Sequence, residues 1–440
     1  MAYKKLRAFH KTVQGNMHIQ KGLPCEDASG SFSLDDGWKQ YAVAAVADGH
    51  GSSACFRSGT GSKIAVEAAI ECLKVCANTM LENRRKFNEM DERARLTFLQ
   101  NPYDNPVNLR QLTDAILARW YDGVMQDLRL HPITPEEKRE HPEMEKRRGN
   151  LPHIYGTTLI AALWLSPWLI LLQQGDGHCD VFYEDKSVEQ PIPWDERCQG
   201  NITTSMCDLD AAVSIRSCLI NSAKRKPIAC FLESDGVEDA YRDTEEEHDA
   251  EKNRGAAEDL DNSGMGGVNI FNKAVIDQFL SSFEKTDDAA EKESQEKLEK
   301  LLNDVSARGQ FGYGGSGDDA SIAGIVNTNG DNLFKLRNTY RTDVELYEKG
   351  EKIFWLDDAL RSKTRKLGIL EQRRKKAFQD MKRAKTQNNR ALYPSQEQAF
   401  KEADQAYRDF REEYERIQKE RNESEKERDE LKKGDAFAGN

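Results

Sequence analysis

The chain has 440 residues, 38% of them hydrophobic and 32% charged, with a formal net charge of −12. That balance argues against nucleic acid as the main partner, and no run approaches the ~18 apolar residues that a membrane span needs. Nine cysteines without repeat spacing predict reduced thiols, and a start (Met1 to Gly15) without an apolar core predicts a cytoplasmic protein.

Residues Tyr41 to Ala47 (YAVAAVA) form a short apolar run and predict a buried strand. It stops on Asp48, which is followed by Gly49-His50-Gly51, so a carboxylate sits where a strand gives way to a tight turn. Residues 78–152 form a long charged insertion. Within it Leu112, Ile116, Trp120, Val124 and Leu128 recur at helical spacing and predict a helix packed on the body. The stretch Thr134 to Asn150 is too polar to bury and predicts an exposed loop or helix. Pro167 to Gln173 (PWLILLQ) is a second apolar run, ending in Gln174-Gly175-Asp176-Gly177. Pro227 to Leu232 (PIACFL) is a third, ending in Glu233-Ser234-Asp235-Gly236-Val237. Residues 239–268, acidic and then glycine-rich, predict a mobile segment. Gly314-Gly315-Ser316-Gly317-Asp318-Asp319 then precedes a fourth run, Ala320 to Val326 (ASIAGIV).

The last ninety residues are of another kind. Phe400, Ala403, Tyr407, Phe410, Tyr414 and Ile417 alternate spacings of three and four, a heptad seam. Upstream, Leu360, Leu367, Leu370, Ala377, Met381 and Ala384 give a looser one. Asn388 to Ser395 reads as the turn between them, with Ser395 and Gln398 spaced as a capping box. The expectation is an antiparallel coiled-coil hairpin of roughly 356–387 and 395–433. Residues 361–390 hold twelve Lys or Arg against two acids, and 397–430 hold thirteen acids against eight bases. Flanks of opposite sign attract across such a seam. The domain expectation is 1–350 for the catalytic body and 351–440 for the hairpin.

Four strand ends carrying Asp beside Gly are hard to explain as independent turns. Carboxylates delivered from separate strand ends suit hard divalent cations such as Mg²⁺ and Mn²⁺. Zinc is not indicated, because cysteine and histidine show no paired ligand spacing. Neither is a protein nucleophile: Cys25 lies beside Glu26, but no glycine-containing run closing on arginine follows it.

At this point the chain resembles the PPM-type (type 2C) metal-dependent serine/threonine protein phosphatases, particularly bacterial ones. The matching pieces occur in the family's order: His18 to Ala28 (HIQKGLPCEDA), Val46 to Ser52 (VADGHGS), Gly156-Thr157-Thr158, Gln174 to Val181 (QGDGHCDV), Glu233 to Val237 (ESDGV) and Gly317 to Ile322 (GDDASI). The resemblance covers roughly residues 8–330. It implies an α+β fold, a four-layer α-β-β-α sandwich of two stacked sheets, with a two-metal centre at one end. Carried over, Asp48 bridges both metals and the Gly49 carbonyl completes one coordination sphere. Asp235 and Asp318 hold one metal, and Glu26 reaches the other through water. Asp176 matches the position that helps to hold a third ion, and His50 the residue proposed as general acid for the leaving alcohol. The segment 239–268 falls where the family places a flap beside the active site.

The chain departs from that family pattern in three places. Gly175-Asp176-Gly177 stands where the family commonly has Gly-Asp-Ser. No arginine lies between Val13 and Ala28 to grip the substrate phosphate, which leaves His18 and Lys21 as candidate phosphate-binding cations. Asp318-Asp319 leaves the register ambiguous by one; Asp318 is taken as the ligand because Ala320-Ser321-Ile322 then aligns with the family's following strand. The resulting expectation is a cytoplasmic, Mg²⁺- or Mn²⁺-dependent phosphatase in bacterial signalling, acting on phosphoserine or phosphothreonine in proteins and opposing a kinase. Its hairpin would serve as a docking arm or dimer contact. The alternative is a catalytically weak phosphoprotein-binding scaffold that recruits partners through the coiled coil.

Overall fold

The computed structural model describes residues 6–97, 101, 106–142, 144, 150–198, 202–238, 267–278, 288–308, 317–328, 332–387, 389 and 391–438. The chain forms two compact units, Met1–Arg337 and Asn338–Asn440. The expected boundary at 350/351 falls within a continuous helix. The segment read as a flap lies outside the described residues up to 266, as do Gly314 to Ser316.

The first unit begins with β1 (Leu6–Val13), α1 (Asn16–Lys21), β2 (Ala28–Asp35), β3 (Gln40–Ala47) and α2 (Ser58–Glu89). The insertion supplies α3 (Glu92–Thr97), α4 (Leu109–Leu130) and α5 (Pro135–Glu140). Then follow β4 (Leu159–Leu165), β5 (Trp168–Gln174), β6 (His178–Tyr183), β7 (Val188–Glu189), α6 (Ala211–Ser214), β8 (Arg216–Asn221), β9 (Pro227–Glu233) and α7 (Asp235–Glu238). The unit continues through α8 (Gly267–Gln278), α9 (Asp288–Arg308) and β10 (Ala320–Asn327). Its strands make two five-stranded antiparallel sheets, in the orders β1-β10-β9-β6-β7 and β2-β3-β4-β5-β8. All four apolar runs read from the sequence are strands.

Central strands buried on both faces need apolar residues throughout, and β3 shows how the two faces divide. Ala42, Ala44 and Val46 enter the core between the sheets, beside Ile160, Trp164, Leu171, Cys230, Leu232 and Ile325. The alternate residues Tyr41, Val43, Ala45 and Ala47 face the helical layer of α2 and α4. Close approach is possible because side chains there are small; a Cβ on Gly30 would lie 2.7 Å from Val66. The face predicted for α4 is the face that packs: Leu112, Ile116, Trp120 and Val124 are all buried. The Trp120 indole N–H donates to the Gly61 carbonyl at 3.1 Å, and truncations of such a side chain to alanine cost about 3–5 kcal/mol. On the outer face of the first sheet, Phe231 packs edge-on against Phe9 and Phe182, with ring centroids 5.9 and 5.4 Å away. The nine cysteines are all free thiols, and no helix of the described residues is long and apolar enough to cross a membrane.

The second unit is the hairpin, built from α10 (Asn332–Thr386), whose first residues belong to the first unit, and α11 (Tyr393–Ala438). The seam residues from Phe400 to Ile417 are its half-buried positions, and Ser424 further along is buried. Phe378 meets Phe400 with ring centroids 5.3 Å apart. Lys352–Glu420 at 2.9 Å, Lys363–Glu413 at 2.7 Å and Arg421–Asp357 at 3.0 Å join the basic helix to the acidic one in antiparallel register. The expected capping box does not form. The second helix starts at Tyr393, with Pro394 in its first turn, so Ser395 is already helical and its hydroxyl donates to the Leu392 carbonyl at 2.9 Å.

A carboxylate cluster at one end of the sandwich

Asp48 leaves β3 in a backbone cradle. Its N–H donates to Thr158 Oγ1 at 2.9 Å, and its carbonyl accepts the Thr158 N–H at 2.8 Å and the Thr157 hydroxyl at 2.7 Å. The side chain is thereby left to face the other strand ends. Its carboxyl lies within hydrogen-bonding reach of Asp235, the first residue of α7, two positions past the end of β9. Burial first, then the charges of Asp235, Asp27 and Asp318, raise Asp48 far above the usual carboxylate range. Asp235 and Asp318 thus lie near enough to Asp48 for their charges to bear on it.

Glu26 joins the cluster from the loop before β2. Its Oε1 accepts the Ser58 hydroxyl at 2.5 Å, and burial raises its pKa against the opposing effects of Ser58 and His18. Gly49 is buried, and a Cβ there would stand 2.6 Å from the Glu26 carbonyl oxygen and 2.9 Å from the Ser58 carbonyl carbon. Only glycine fits between those backbones. Gly51 makes similar room, since its Cβ would come within 2.8 Å of Glu26 Oε2.

His50 donates its N–H to the Gly156 carbonyl at 3.1 Å. Burial, reinforced by the neighbouring His153, pushes its imidazole down to about 4. Asp176 occupies the β5–β6 turn, where its N–H donates to Thr203 Oγ1 at 3.1 Å. Gly177 on that turn has φ +74°, and a Cβ would lie 2.7 Å from the Glu233 carbonyl oxygen. That geometry accounts for glycine where the family commonly carries serine. Lys21 ends α1 in an exposed position. His18, on the same helix, turns inward: its Nε2 is 3.4 Å from Asp318 Oδ1 and its Nδ1 is 3.0 Å from Asp319 Oδ2.

The two residues of the Asp pair are not equivalent. Asp319 is 3% exposed, and its oxygens accept the Gly15 and Glu26 backbone N–H groups, each at 2.6 Å. The Asp318 side chain is 44% exposed and bears on Asp48. Asp319 thus clamps two loops, while, among the described residues, Asp318 Oδ1 accepts only the neighbouring Asp319 N–H, at 2.8 Å, and faces His18. Asp27, which sequence reasoning passed over, is also part of the cluster. It is buried, its Oδ2 accepts the Ser234 hydroxyl at 2.7 Å, and burial together with the charges of Asp319 and Asp235 raises it well above the carboxylate range. The only signal for it was its place directly after Glu26.

The donor set of this cluster is all oxygen except His18. Carboxylates that raise one another's pKa by proximity form the field that a divalent cation relieves, so the residues fit the metal centre the resemblance implies.

Residues 14–303 match the model of the protein phosphatase 2C family. No curated protein gives a significant match. Among solved structures, Stp1 from Staphylococcus aureus, a serine/threonine phosphatase, is 15% identical, covering 74% of this chain and 97% of its own with a TM-score of 0.38. PstP/Ppp of Mycobacterium tuberculosis, also a serine/threonine phosphatase, is 11% identical over 73% of this chain and 98% of its own, with a TM-score of 0.36. PppA of Pseudomonas aeruginosa is 13% identical over 74% and 98%, with a TM-score of 0.34. The family match covers about two thirds of the chain, taking in the whole second sheet and β6, β7 and β9 of the first, from the β1–α1 junction through α8 into α9, and on that ground the chain belongs to the protein phosphatase 2C family of phosphatases.

Proposed function

We propose that the protein hydrolyses phosphoserine and phosphothreonine in proteins with the help of two Mg²⁺ or Mn²⁺ ions. The observation that carries this reading is the convergence of Asp48, Asp235 and Asp318 from three segments, with Asp48 raised by the charge of the others. In this reading Asp48, the Gly49 carbonyl, Asp235 and Asp318 hold the ions, Glu26 serves the far side through water, and Asp176 is the candidate for a third. Bound cations would neutralise the phosphoryl group and activate the attacking water, the two main demands of phosphate monoester hydrolysis.

The chain's own residues supply placement. Thr157 and Thr158 fix the backbone of Asp48, and Asp319 ties the Gly15 and Glu26 loops to the same edge. His50 stands two residues from Asp48 to return a proton to the departing serine or threonine oxygen. Its imidazole is pushed down to about 4, so the proton is held there only beside the substrate's phosphoryl dianion, which favours the charged ring.

The scaffold reading keeps one observation in its favour, the lack of an arginine between Val13 and Ala28. Arg57, close by in sequence, is committed to Glu137, with contacts of 2.9–3.0 Å. Turnover of a small aryl phosphate and a phosphothreonine peptide decides between the two. The enzyme reading expects activity with Mn²⁺, none with EDTA and none in Asp48→Asn. If the wild type with Mn²⁺ is as inert as the variant on both substrates, the scaffold reading replaces it. The partners in the enzyme reading are a phosphorylated protein and the kinase it opposes, with the hairpin as docking arm or dimer contact.

A further inference from the structure

The inward turn of His18 is enforced by backbone. Its helix α1 lies on the segment that leads into β10: Met17 donates its N–H to the Gly317 carbonyl at 3.0 Å, and a Cβ on Gly15 would stand 2.3 Å from the Asp318 carbonyl carbon. No side chain separates the two segments there. The His18 side chain is 15% exposed, and one ligand atom each from His18, Asp318 and Asp319 lie within 4.8 Å of one another. Among the described residues this is the one group of His, Cys, Asp or Glu so closely spaced.

The two imidazole nitrogens face different carboxylates. Nδ1 is 3.0 Å from Asp319, whose oxygens are already fixed by the Gly15 and Glu26 N–H groups. Nδ1 is buried and makes no hydrogen bond there, so the 3.0 Å approach to Asp319 places the ring. The other nitrogen, Nε2, is 3.4 Å from Asp318 Oδ1. An ion about 2.1 Å from each atom would see them at an angle of roughly 110°, within what four- to six-coordinate ions accept.

We infer that His18 Nε2 is a direct ligand, with Asp318, of the cation that Asp318 holds, and that this ion is a transition metal of the Mn²⁺ class rather than Mg²⁺. The inference rests on the metal-centre reading given above and replaces the expectation that His18 grips phosphate. An all-oxygen centre discriminates little between these ions, whereas one imidazole shifts preference toward Mn²⁺, Fe²⁺ or Zn²⁺.

Pulsed electron paramagnetic resonance on the full chain, stripped of metal and loaded with Mn²⁺ alone, reads the ligand directly. The wild type is expected to show ¹⁴N modulation that becomes ¹⁵N in protein labelled with ¹⁵N-histidine, a comparison that alters no residue. His18→Gln is expected to lose the modulation and at least about tenfold in Mn²⁺ affinity at one site, with Mg²⁺ affinity changed less than twofold. His50→Gln is expected to keep it. Bound Mn²⁺ without histidine nitrogen coupling overturns the inference and leaves the metal centre standing. The same holds for a coupling that survives His18→Gln and vanishes in His50→Gln. If the wild type binds no Mn²⁺ at all, the metal-centre reading falls as well.

Discussion

The charges of Asp235, Asp27 and Asp318 bear on Asp48, and burial compounds them. In the cation-free chain this cluster stores repulsion, which the function proposed for it would require. Asp48→Asn removes one repelling charge at nearly constant volume. It is therefore expected to raise the cation-free melting temperature by roughly 2–5 °C, equivalent to about 1–2 kcal/mol, while abolishing the stabilisation that Mn²⁺ gives the wild type. Scanning calorimetry with Mn²⁺ and with EDTA measures both effects. A variant that melts below the wild type in EDTA would contradict the repulsion argument. Asp48 and Asp235 were legible in the sequence because each follows an apolar run and precedes glycine, a local pattern. Asp27 and Asp319 were not, because what defines them is remote. Ser234 lies 207 residues from Asp27, and Gly15 and Glu26 lie 304 and 293 residues from Asp319.

The face of α4 could be read at helical spacing and the exposure of α5 from its polarity, but the contacts that hold α5 could not be read, because their partners are remote in sequence. The Thr134–Glu137 capping box of α5 sets the start of the helix, but Arg57 and Phe56, outside the helix, hold it and the residues that flank it. Arg57 takes Glu137 in a fork at 2.9–3.0 Å, donates to the His131 carbonyl at 2.7 Å, and sits beside a short Tyr155–Asp127 hydrogen bond of 2.5 Å. Phe56 stacks on His141 with ring centroids 4.1 Å apart. These partners directly follow the His50 turn, so the clamp connects the insertion to the catalytic edge. Burial works to raise Asp127 and Glu137, but hydrogen bonds from Tyr155, His131, Thr134 and Arg57 outweigh it, and both lie below their ordinary values of 3.8 and 4.5. A depressed acid stabilises fully above its unfolded pKa and loses that contribution as pH falls through the folded one. Hydrogen exchange of residues 131–141 is therefore expected to stay slow from pH 7 to 5 and to quicken below about 4. Arg57→Ala, which leaves Glu137 only the Thr134 N–H as a partner, should loosen the segment already at pH 7 by about 1–3 kcal/mol. Unchanged protection in that variant at pH 7 would remove the clamp from the account.

At the scale of the whole molecule, the two units rest on different physics. Every residue of the two apolar core clusters lies between Leu6 and Ile325, inside the first unit. The hairpin instead relies on a half-buried aromatic seam and exposed ion pairs, each worth about 0–1 kcal/mol. A chain ending at Arg337 keeps both clusters whole, although it loses Tyr340, which is buried on α10. It is expected to melt cooperatively and to turn over an aryl phosphate within about threefold of the full protein, since measured effects on a distant site are small when no contact to it is removed. The hairpin's sequence shows why it is a separate object: its periodicity is 3.5 and its flanks carry opposite charge, features that specify a partner helix and need no sheet. The same truncation tests the docking-arm proposal. Retained turnover of the small substrate, with at least a tenfold loss in kcat/KM on a phosphoprotein substrate, would locate recognition in residues 338–440, because uniform binding energy from a remote site appears in that ratio and not in the chemistry. Equal losses on both substrates would make the hairpin a part of the catalytic unit's own stability, and equal retention would leave the substrate to be chosen by the sandwich alone.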